Sequence, residues 1–264
     1  MKGRAGLKAW SVMSVLLLVG GGLSCGETKS GPDVPLSIQF NPPQLPSMLV
    51  GDQLHDTLGN IDSLHAILFN SSGDTIQNGP VRFVHADTSH IVTIDSITGH
   101  VTANDTGAAR VVAQATSLQT PPETLFVVQT PDAFTNATAL QDTLTFTPVR
   151  SDTLFPLSVA LQSGSNGVNH YRIEYRFVYP AALNVADSTQ ILLSDENRKF
   201  SLVDTTSTIS GATTVSGSAT RYLRVTPFTH FTSDTVVVEA RAFLPDHTPV
   251  PGSPVRFKVL VQIQ

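Results

Sequence analysis

The only cysteine of this 264-residue chain, Cys25, follows a basic and then apolar N-terminus. Three basic residues (Lys2, Arg4 and Lys8) come before an apolar stretch over residues 9–23, and no acidic residue precedes the cysteine. The stretch is short for a transmembrane helix but has the length of the apolar core of a signal peptide. Because a lone cysteine cannot form an intrachain disulfide, the chemistry expected of this thiol is acylation, which would tie the protein to a membrane.

The sequence around Cys25 is similar to a bacterial lipoprotein signal. Ser24 fits that pattern, whereas the two residues before it lack the usual order of an aliphatic and then a small residue. The resemblance implies a signal peptide over residues 1–24 and a lipid-anchored Cys25 as the first mature residue. In enteric-type bacteria, an Asp directly after the lipidated cysteine favours retention in the inner membrane. This chain has Gly26 at that position, which favours the outer membrane or the cell surface. The alternative is an ordinary secretory signal cleaved near Ser24.

The eight histidines raise the question of a metal site. No two of them have the four-residue spacing that puts two ligands on one face of a helix, and zinc needs about three or four converging ligands. We therefore predict no metal site and no cofactor, and a loop flanked by His85 and His90 is the first place to test this. Five of the histidines fall in the first half of the chain: His55, His65, His85, His90 and His100.

The sequence contains no hydrolase motif in a catalytic context. Its one Gly-x-Ser-x-Gly match, residues 22–26, spans the predicted signal cleavage site and is not a strand-to-helix elbow, and the chain has no His-Glu-x-x-His pair and no glycine loop of the phosphate-binding kind. The acidic pair Asp195-Glu196 lies in the hydrophilic segment 194–199, which is typical of a solvated turn. We therefore predict that the chain has no catalytic residues and is not an enzyme.

One tripeptide recurs along the chain: Asp, then Ser or Thr, then an aliphatic residue or Thr. It resembles the O-glycosylation acceptor pattern of Bacteroidetes-type periplasmic proteins. The alternative, which we favour, is that Asp and Ser or Thr mark the starts of strands in a Thr-rich chain. The tripeptide begins at Asp56, Asp62, Asp74, Asp95, Asp142, Asp152, Asp187, Asp204 and Asp234.

After residue 24 the chain is acidic and long enough for about two domains. These 240 residues hold 13 Lys and Arg against 21 Asp and Glu, a balance that predicts no nucleic-acid partner. Charged residues make up 14% of the whole chain, below the roughly 25% of typical soluble domains. Thr, Ser and Val take their place, and these residue types favour extended structure.

Short alternating runs broken by Gly, Pro, Asn and Asp follow one another to the end of the chain, a pattern typical of an all-β sandwich. We predict a flexible tether over residues 25–35, a first domain over 36–130 and a second over 131–264. The first domain should contain strands around these alternating pairs: Ile38 and Phe40, Ala66 and Leu68, Val81 and Phe83, Val92 and Ile94, Val101 and Ala103, Val111 and Ala113, and Leu125 and Val127.

The segment 91–103 contains two alternating runs around Thr98-Gly99, where glycine can adopt a positive φ. A second turn at 104–107 leads into another alternating run at 108–113. In this order the turns and strands resemble the bacterial Ig-like group 2 family, whose domains occur in tandem in intimin- and invasin-type adhesins. The resemblance covers about residues 34–129 and implies an Ig-like sandwich without catalytic residues. Phe83 stands where the family usually has a core tryptophan.

The second domain is predicted as a divergent Ig-like or fibronectin-type sandwich. Aromatic and aliphatic residues occupy the odd positions of 171–179, and the even positions hold Arg172, Glu174 and Arg176. Because side chains alternate along a strand, the even-numbered residues should point outward. The odd-numbered residues should point inward: Tyr171, Ile173, Tyr175, Phe177 and Tyr179. The sequence Pro80–Phe83 recurs as 254–257, which we interpret as common strand chemistry and not as proof of repetition.

The sequence thus predicts an all-β chain of two tandem Ig-like β-sandwich domains after an N-terminal signal peptide. The predicted function is that of a non-catalytic cell-envelope lipoprotein that binds or adheres at the cell surface, held to the membrane through Cys25. The predicted contact loop contains Pro245, Asp246 and His247, and the partner is a protein or a glycan. The alternative is a structural spacer, or a subunit of a larger envelope assembly for secretion or polysaccharide handling.

Overall fold

The computed structural model describes residues 34–77, 79–146, 152–184, 191–207, 217–226 and 234–263. The predicted signal peptide, Cys25 and most of the predicted tether lie outside these residues. The described part consists of β-strands, turns and one short 3₁₀ helix, Ala181–Leu183. No helix within the described ranges has the length and apolar character needed to span a bilayer.

The first sandwich pairs two main sheets and a small hairpin. One sheet has the order β1-β3-β4, the other has the order β2-β10-β8-β5 with β9 beside β8, and β6 pairs with β7. The strands are β1 (Ser37–Asn41), β2 (Ser47–Leu49), β3 (His65–Phe69), β4 (Thr75–Ile76), β5 (Arg82–His85), β6 (Val92–Ile94), β7 (Val101–Ala103), β8 (Gly107–Ala115), β9 (Leu118–Gln119) and β10 (Glu123–Val128).

The second sandwich is built of two larger sheets. One has the order β11-β13-β18-β16 with β14 beside β13, and the other has the order β12-β20-β19-β15-β17. The strands are β11 (Ala133–Asn136), β12 (Gln141–Phe146), β13 (Thr153–Ser163), β14 (Asn166–Gly167), β15 (Arg172–Tyr179), β16 (Ile191–Ser194), β17 (Val203–Thr205), β18 (Gly217–Val225), β19 (Asp234–Arg241) and β20 (Val255–Ile263).

The two sandwiches share one topological device, a first strand divided between the two sheets. β1 pairs antiparallel with β3, and the chain then crosses so that β2 runs parallel to the last strand, β10. In the same way β11 pairs antiparallel with β13, and β12 runs parallel to β20. The repeated tetrapeptide falls on β5 and on β20, which occupy different places in the two sandwiches, so it is strand chemistry and not a repeat.

Alternation along the strands fills two hydrophobic cores. In β8, Val111 and Ala113 have no measurable exposure, and in β19 Val236, Val238 and Ala240 are likewise fully buried. Since burial of one such side chain contributes about 1.5–3 kcal/mol, these rows hold the paired sheets together without any disulfide. The first core consists of buried residues of the first sandwich, from Met48 to Val127 in the sequence. The second core consists of buried residues of the second sandwich together with Leu49 of the first.

The hairpin that was predicted around Gly99 is confirmed. β6 and β7 pair antiparallel, Gly99 has φ +74°, and Asp95 Oδ1 accepts the backbone N–H groups of Ile97 and Thr98 at 2.9 and 3.1 Å. A Cβ on Gly99 would stand 2.7 Å from the Leu64 carbonyl oxygen, so glycine is required by space as well as by conformation.

Phe83 is 5% exposed and is therefore a core residue. Its ring meets that of Phe40 edge to face, with the ring centroids 5.9 Å apart. An edge-to-face pair of this kind adds to the stabilisation that burial provides. The phenyl ring of Phe83 is thus part of the core of the first sandwich.

The predicted inward face of β15 is confirmed at Tyr171, Ile173, Tyr175 and Phe177, which are at most 7% exposed. The prediction for Tyr179 is wrong, because this residue is 51% exposed. The pairing with β19 shifts between Phe177 and Tyr179, and this bulge turns the last residue of the strand to the outer face. There the Tyr179 hydroxyl donates to Asp234 Oδ2 at 3.1 Å.

Candidate functional site

The predicted contact loop is a tight turn between β19 and β20. Leu244 N–H donates to the Thr248 carbonyl at 2.8 Å, and His247, at φ +64°, donates its N–H to the Leu244 carbonyl at 2.9 Å. Asp246 Oδ1 accepts from the backbone N–H and the hydroxyl of Thr248 at 2.9 and 2.6 Å. The hydrogen bonds from Thr248 hold the pKa of Asp246 below its ordinary value, so its carboxylate is charged at neutral pH.

This loop lies against the first sandwich. A Cβ on Gly59 would stand 2.5 Å from the Pro245 carbonyl oxygen and 2.8 Å from the imidazole Cδ2 of His247. Asp56 shapes the turn that carries Gly59, because its carboxylate accepts from Leu58 N–H and Asn60 N–H. Two of the three predicted contact residues therefore touch the protein's own first domain, and their binding of an outside partner stays a prediction.

Aromatic stacking adds a second contact to the junction between the sandwiches. The Phe126 ring stacks on the His170 imidazole with centroids 3.6 Å apart and planes 5° from parallel. Burial lowers the pKa of His170, which favours the neutral ring.

A cleft opens beside this contact. Its walls include Leu45 and Leu49 from the first sandwich and Tyr171 and Phe243 from the second. The Tyr171 hydroxyl donates to the Phe243 carbonyl at 2.7 Å, and burial raises the pKa of this phenol far above its ordinary value. The phenol is thus a neutral hydrogen-bond donor that ties β15 to the end of β19, and the cleft is mainly apolar.

Three of the five histidines of the first sandwich have local partners, whereas His85 Nδ1 is buried without a hydrogen-bond partner. His55 Nε2 lies 3.1 Å from Asp52 Oδ1, His65 Nε2 lies 3.0 Å from Asp62 Oδ1, and His100 Nδ1 lies 3.1 Å from the Ser63 hydroxyl. Over the described ranges no three His, Cys, Asp or Glu side chains are grouped as metal ligands.

A cluster that the sequence did not predict lies on the outer face of the β12-β20-β19-β15-β17 sheet of the second sandwich. Glu239, on β19, is 1% exposed although it points away from the core. Three guanidinium groups surround its carboxylate: Arg176 Nε lies 3.1 Å from Oε2, Arg241 Nη2 lies 2.6 Å from Oε2, and Arg256 Nε lies 2.7 Å from Oε1. The stems of long arginine side chains can bury a neighbouring group while their heads stay in water.

Strand register builds this arginine cluster, which we define as Glu239 with Arg176, Arg241 and Arg256. Arg176 on β15 and Arg256 on β20 lie directly opposite Glu239 in the two ladders. The side chains of Arg176 and Arg256 are 51% and 67% exposed, so each presents free N–H donors to solvent. With one carboxylate for three guanidinium groups, the cluster carries an excess of positive charge.

Neighbouring residues extend this positive surface. Lys258, two residues beyond Arg256, is exposed on the same face. Arg172 and Glu174 form an ion pair of 2.9 Å at the start of β15, where Glu174 lies opposite Arg241. Alternation alone places Glu239 and Arg256 outward, but only the pairing register reveals that they are neighbours, and register is not readable from one strand's sequence.

The Asp-Ser/Thr tripeptides have a structural use at several positions. Asp62, Asp142, Asp204 and Asp234 each accept the N–H of the next residue through Oδ1, at 2.6–2.8 Å. In all four of these tripeptides the residue after the Ser or Thr is buried, as in Leu64. This supports a role at strand starts, and it leaves glycosylation a prediction.

Comparison with known proteins gives only distant similarities. No protein-family model matches the chain, and no curated protein matches it.

Three solved structures illustrate the distant similarities. Domains 4 and 5 of the S-layer protein SbsC match with 11% identity and a TM-score of 0.30, over 86% of this chain and 96% of that one. The D00-D0 domain of intimin matches with 12% identity and a TM-score of 0.28, over 85% and 98% of the two chains. Fibronectin(III)-like modules of Clostridium thermocellum CbhA match with 10% identity and a TM-score of 0.30, over 86% and 94%. Similarities at this level indicate neither an activity nor a partner for this chain.

Proposed function

We propose that this chain is a non-catalytic binding or adhesion protein of the cell envelope, with a first domain of the bacterial Ig-like group 2 kind. The observation that carries the proposal is the arginine cluster. Arginine is enriched in binding surfaces, and its planar group offers several N–H donors in a fixed geometry. Here a buried carboxylate fixes three such groups on a broad, solvent-facing sheet. A surface organised in this way suits contact with an anionic partner.

Photo-crosslinking on intact cells tests this proposal. A photo-reactive amino acid in place of Leu260, which is 37% exposed on the face of the arginine cluster, should yield covalent adducts with an envelope or external component. The same amino acid in place of Ile97, 72% exposed on the first sandwich, is the matched control and should yield none. Equal adducts at both positions, or none at Leu260, would contradict binding through this face.

A structural spacer is the second candidate function, and the junction favours it. The Phe126–His170 stack and the seating of Pro245 on Gly59 join the two sandwiches through side chains as well as through the connecting chain. A spacer predicts that the protein in intact cells resists added protease until the outer membrane is opened. Surface cleavage of intact cells would instead favour adhesion.

The lipid anchor on Cys25 is part of the proposed function. Two or more acyl chains give stable attachment to a bilayer, whereas one chain gives only marginal binding. The protein should therefore enter the detergent-soluble membrane fraction, and Cys25→Ala should move it to the soluble fraction. Ser24→Ala keeps a small residue before the thiol and is the control that should stay with the membrane.

A further inference from the structure

We propose that the arginine cluster binds an extended polysaccharide that carries carboxylate groups, such as a polymer of uronic acids. This inference rests on the proposed binding function and names the chemistry of the partner. The guanidinium groups already hold one carboxylate, that of Glu239, at 2.6–3.1 Å. Arginine pairs well with carboxylates because its parallel N–H groups match the two oxygens.

The layout of the cluster suits an extended ligand. Arg176, Glu239 and Arg256 form one row across three adjacent strands. Since neighbouring strands lie about 4.8 Å apart, the backbones of the two arginines are separated by about 10 Å. Lys258 adds a cation about 7 Å further along β20, because alternate residues of a strand share a face. The donors are therefore spread over a flat surface and do not converge in a pocket.

Composition at the centre of the face favours a glycan over a protein. Protein interfaces are usually centred on buried aromatic or aliphatic anchors. The centre of this face consists of Glu239 and its arginines. The exposed large apolar residues of these strands lie around it: Val178 and Tyr179 at the end of β15, Val203 on β17 and Leu260 on β20. A surface of charged hydrogen-bond donors without an apolar centre suits a ligand made of hydroxyl and carboxylate groups.

The charge of the whole chain favours a polymer of low charge density. The formal net charge is −5, and residues 36–130 alone hold eight Asp and Glu against two Lys and Arg. Such a field repels duplex nucleic acid, which carries two charges per base pair, and densely sulfated polymers, which carry more than one charge per sugar. A uronic-acid chain carries at most one carboxylate per sugar, so the local positive surface can bind it against a smaller long-range repulsion.

The experiment measures binding to immobilised polygalacturonate. The protein is expressed from its full 264-residue sequence and purified from whichever fraction contains it. We expect salt-sensitive binding that falls about tenfold or more in the double variant Arg176→Gln/Arg256→Gln, since each change removes a charged donor. The matched control is Arg82→Gln/Arg110→Gln, which removes two exposed arginines from the first sandwich and should change binding less than twofold. Circular dichroism confirms that both variants are folded.

Each alternative outcome has a distinct meaning. Equal loss in both double variants would overturn the inference, because it would show a general charge effect. Tighter binding to poly-L-glutamate than to polygalacturonate would also overturn it, in favour of an acidic protein partner. Absence of polygalacturonate binding together with crosslinks at Leu260 would overturn the glycan inference alone. Absence of both would contradict the proposed function as well.

Discussion

Glu239 is a carboxylate on the outer face of a sheet that has almost no contact with water. Its position is tolerable because three guanidinium groups satisfy its oxygens, two of them from neighbouring strands. A buried charge that loses its partners is costly, whereas a solvated pair contributes little. The energetic importance of Glu239 therefore comes from its burial among hydrogen-bonded arginines and not from the number of its ion pairs.

Glu239→Gln should lower the free energy of unfolding by about 1–3 kcal/mol, because three arginines lose a charged acceptor and must be rehydrated. Glu174→Gln is the control: this carboxylate is 44% exposed and pairs with Arg172, so its loss should cost at most about 0.5 kcal/mol. Urea denaturation of both variants measures the difference. Equal costs would mean that the arginine cluster does not stabilise the sheet.

At the scale of the element, Asp152 fastens the start of β13 to β18 and to the neighbouring turn. Its carboxylate accepts from Arg224 Nε at 2.8 Å and lies 2.9 Å from Arg198 Nε. The hydrogen bond from Arg224, with the charges of both arginines, holds the pKa of Asp152 below its ordinary value. The folded state therefore binds a proton here less readily than the unfolded chain does.

Asp152→Asn should lower the free energy of unfolding by about 1–2 kcal/mol at pH 7, through loss of charged hydrogen bonds. Because the folded pKa is depressed, the wild-type advantage is complete above the unfolded value of about 3.9 and is lost as the pH falls through the folded value. Urea denaturation at pH 7 and pH 3 should show a large and then a small difference between the two proteins. A difference that does not depend on pH would contradict this account.

The β6–β7 hairpin offers a test of its own. Gly99→Ala places a Cβ 2.7 Å from the Leu64 carbonyl oxygen at φ +74°, whereas Gly73→Ala at φ +84° meets nothing within 4 Å. Both changes carry the strain of a left-handed backbone, about 1 kcal/mol. Only Gly99→Ala adds a clash, so it should cost at least about 1 kcal/mol more in thermal or urea unfolding. Equal costs would show that the contact with Leu64 relaxes freely.

Much of the strand pattern was readable from the sequence, because alternation reports which side of a strand is buried. The row of β8 and the row of β15 as far as Phe177 follow the predicted faces. β13 was missed: Pro156 interrupts an otherwise alternating run, and proline usually excludes a paired strand. In the structure Pro156 faces Tyr222 of β18, while β11 reaches only as far as Val159 on the other side, so the missing N–H costs no ladder bond there.

Pairing between distant strands was not readable in this way. The bulge at Tyr179 and the row of Arg176, Glu239 and Arg256 both depend on register, which is set by the whole sheet. The predicted contact loop shows the same limit at the level of the site. Its proline and polar residues correctly indicated a tight loop, but nothing local indicates that Gly59, nearly two hundred residues earlier, lies against it.

At the scale of the whole molecule, the contact between Gly59 and the loop at 244–248 can be loosened selectively. Gly59→Ala places a Cβ 2.5 Å from the Pro245 carbonyl oxygen, whereas Gly51→Ala, also at φ +81°, meets nothing within 4 Å. We expect amide hydrogen exchange in residues 244–248 to speed up about tenfold in Gly59→Ala only. Equal exchange in the two variants would show that the sandwiches do not support each other at this point.

The parallel pairing of the first and last strands in each sandwich has a mechanical consequence. When tension acts on the two ends of a sandwich, parallel strands are drawn in opposite directions along their length, so their hydrogen bonds are loaded together in shear and are not opened one at a time. Resistance to forced opening is a matter of the unfolding rate. β12 and β20 share six register pairs, whereas β2 and β10 share three. Under load the first sandwich is the weaker link, and it would extend while the second, with its arginine-covered sheet, kept its shape.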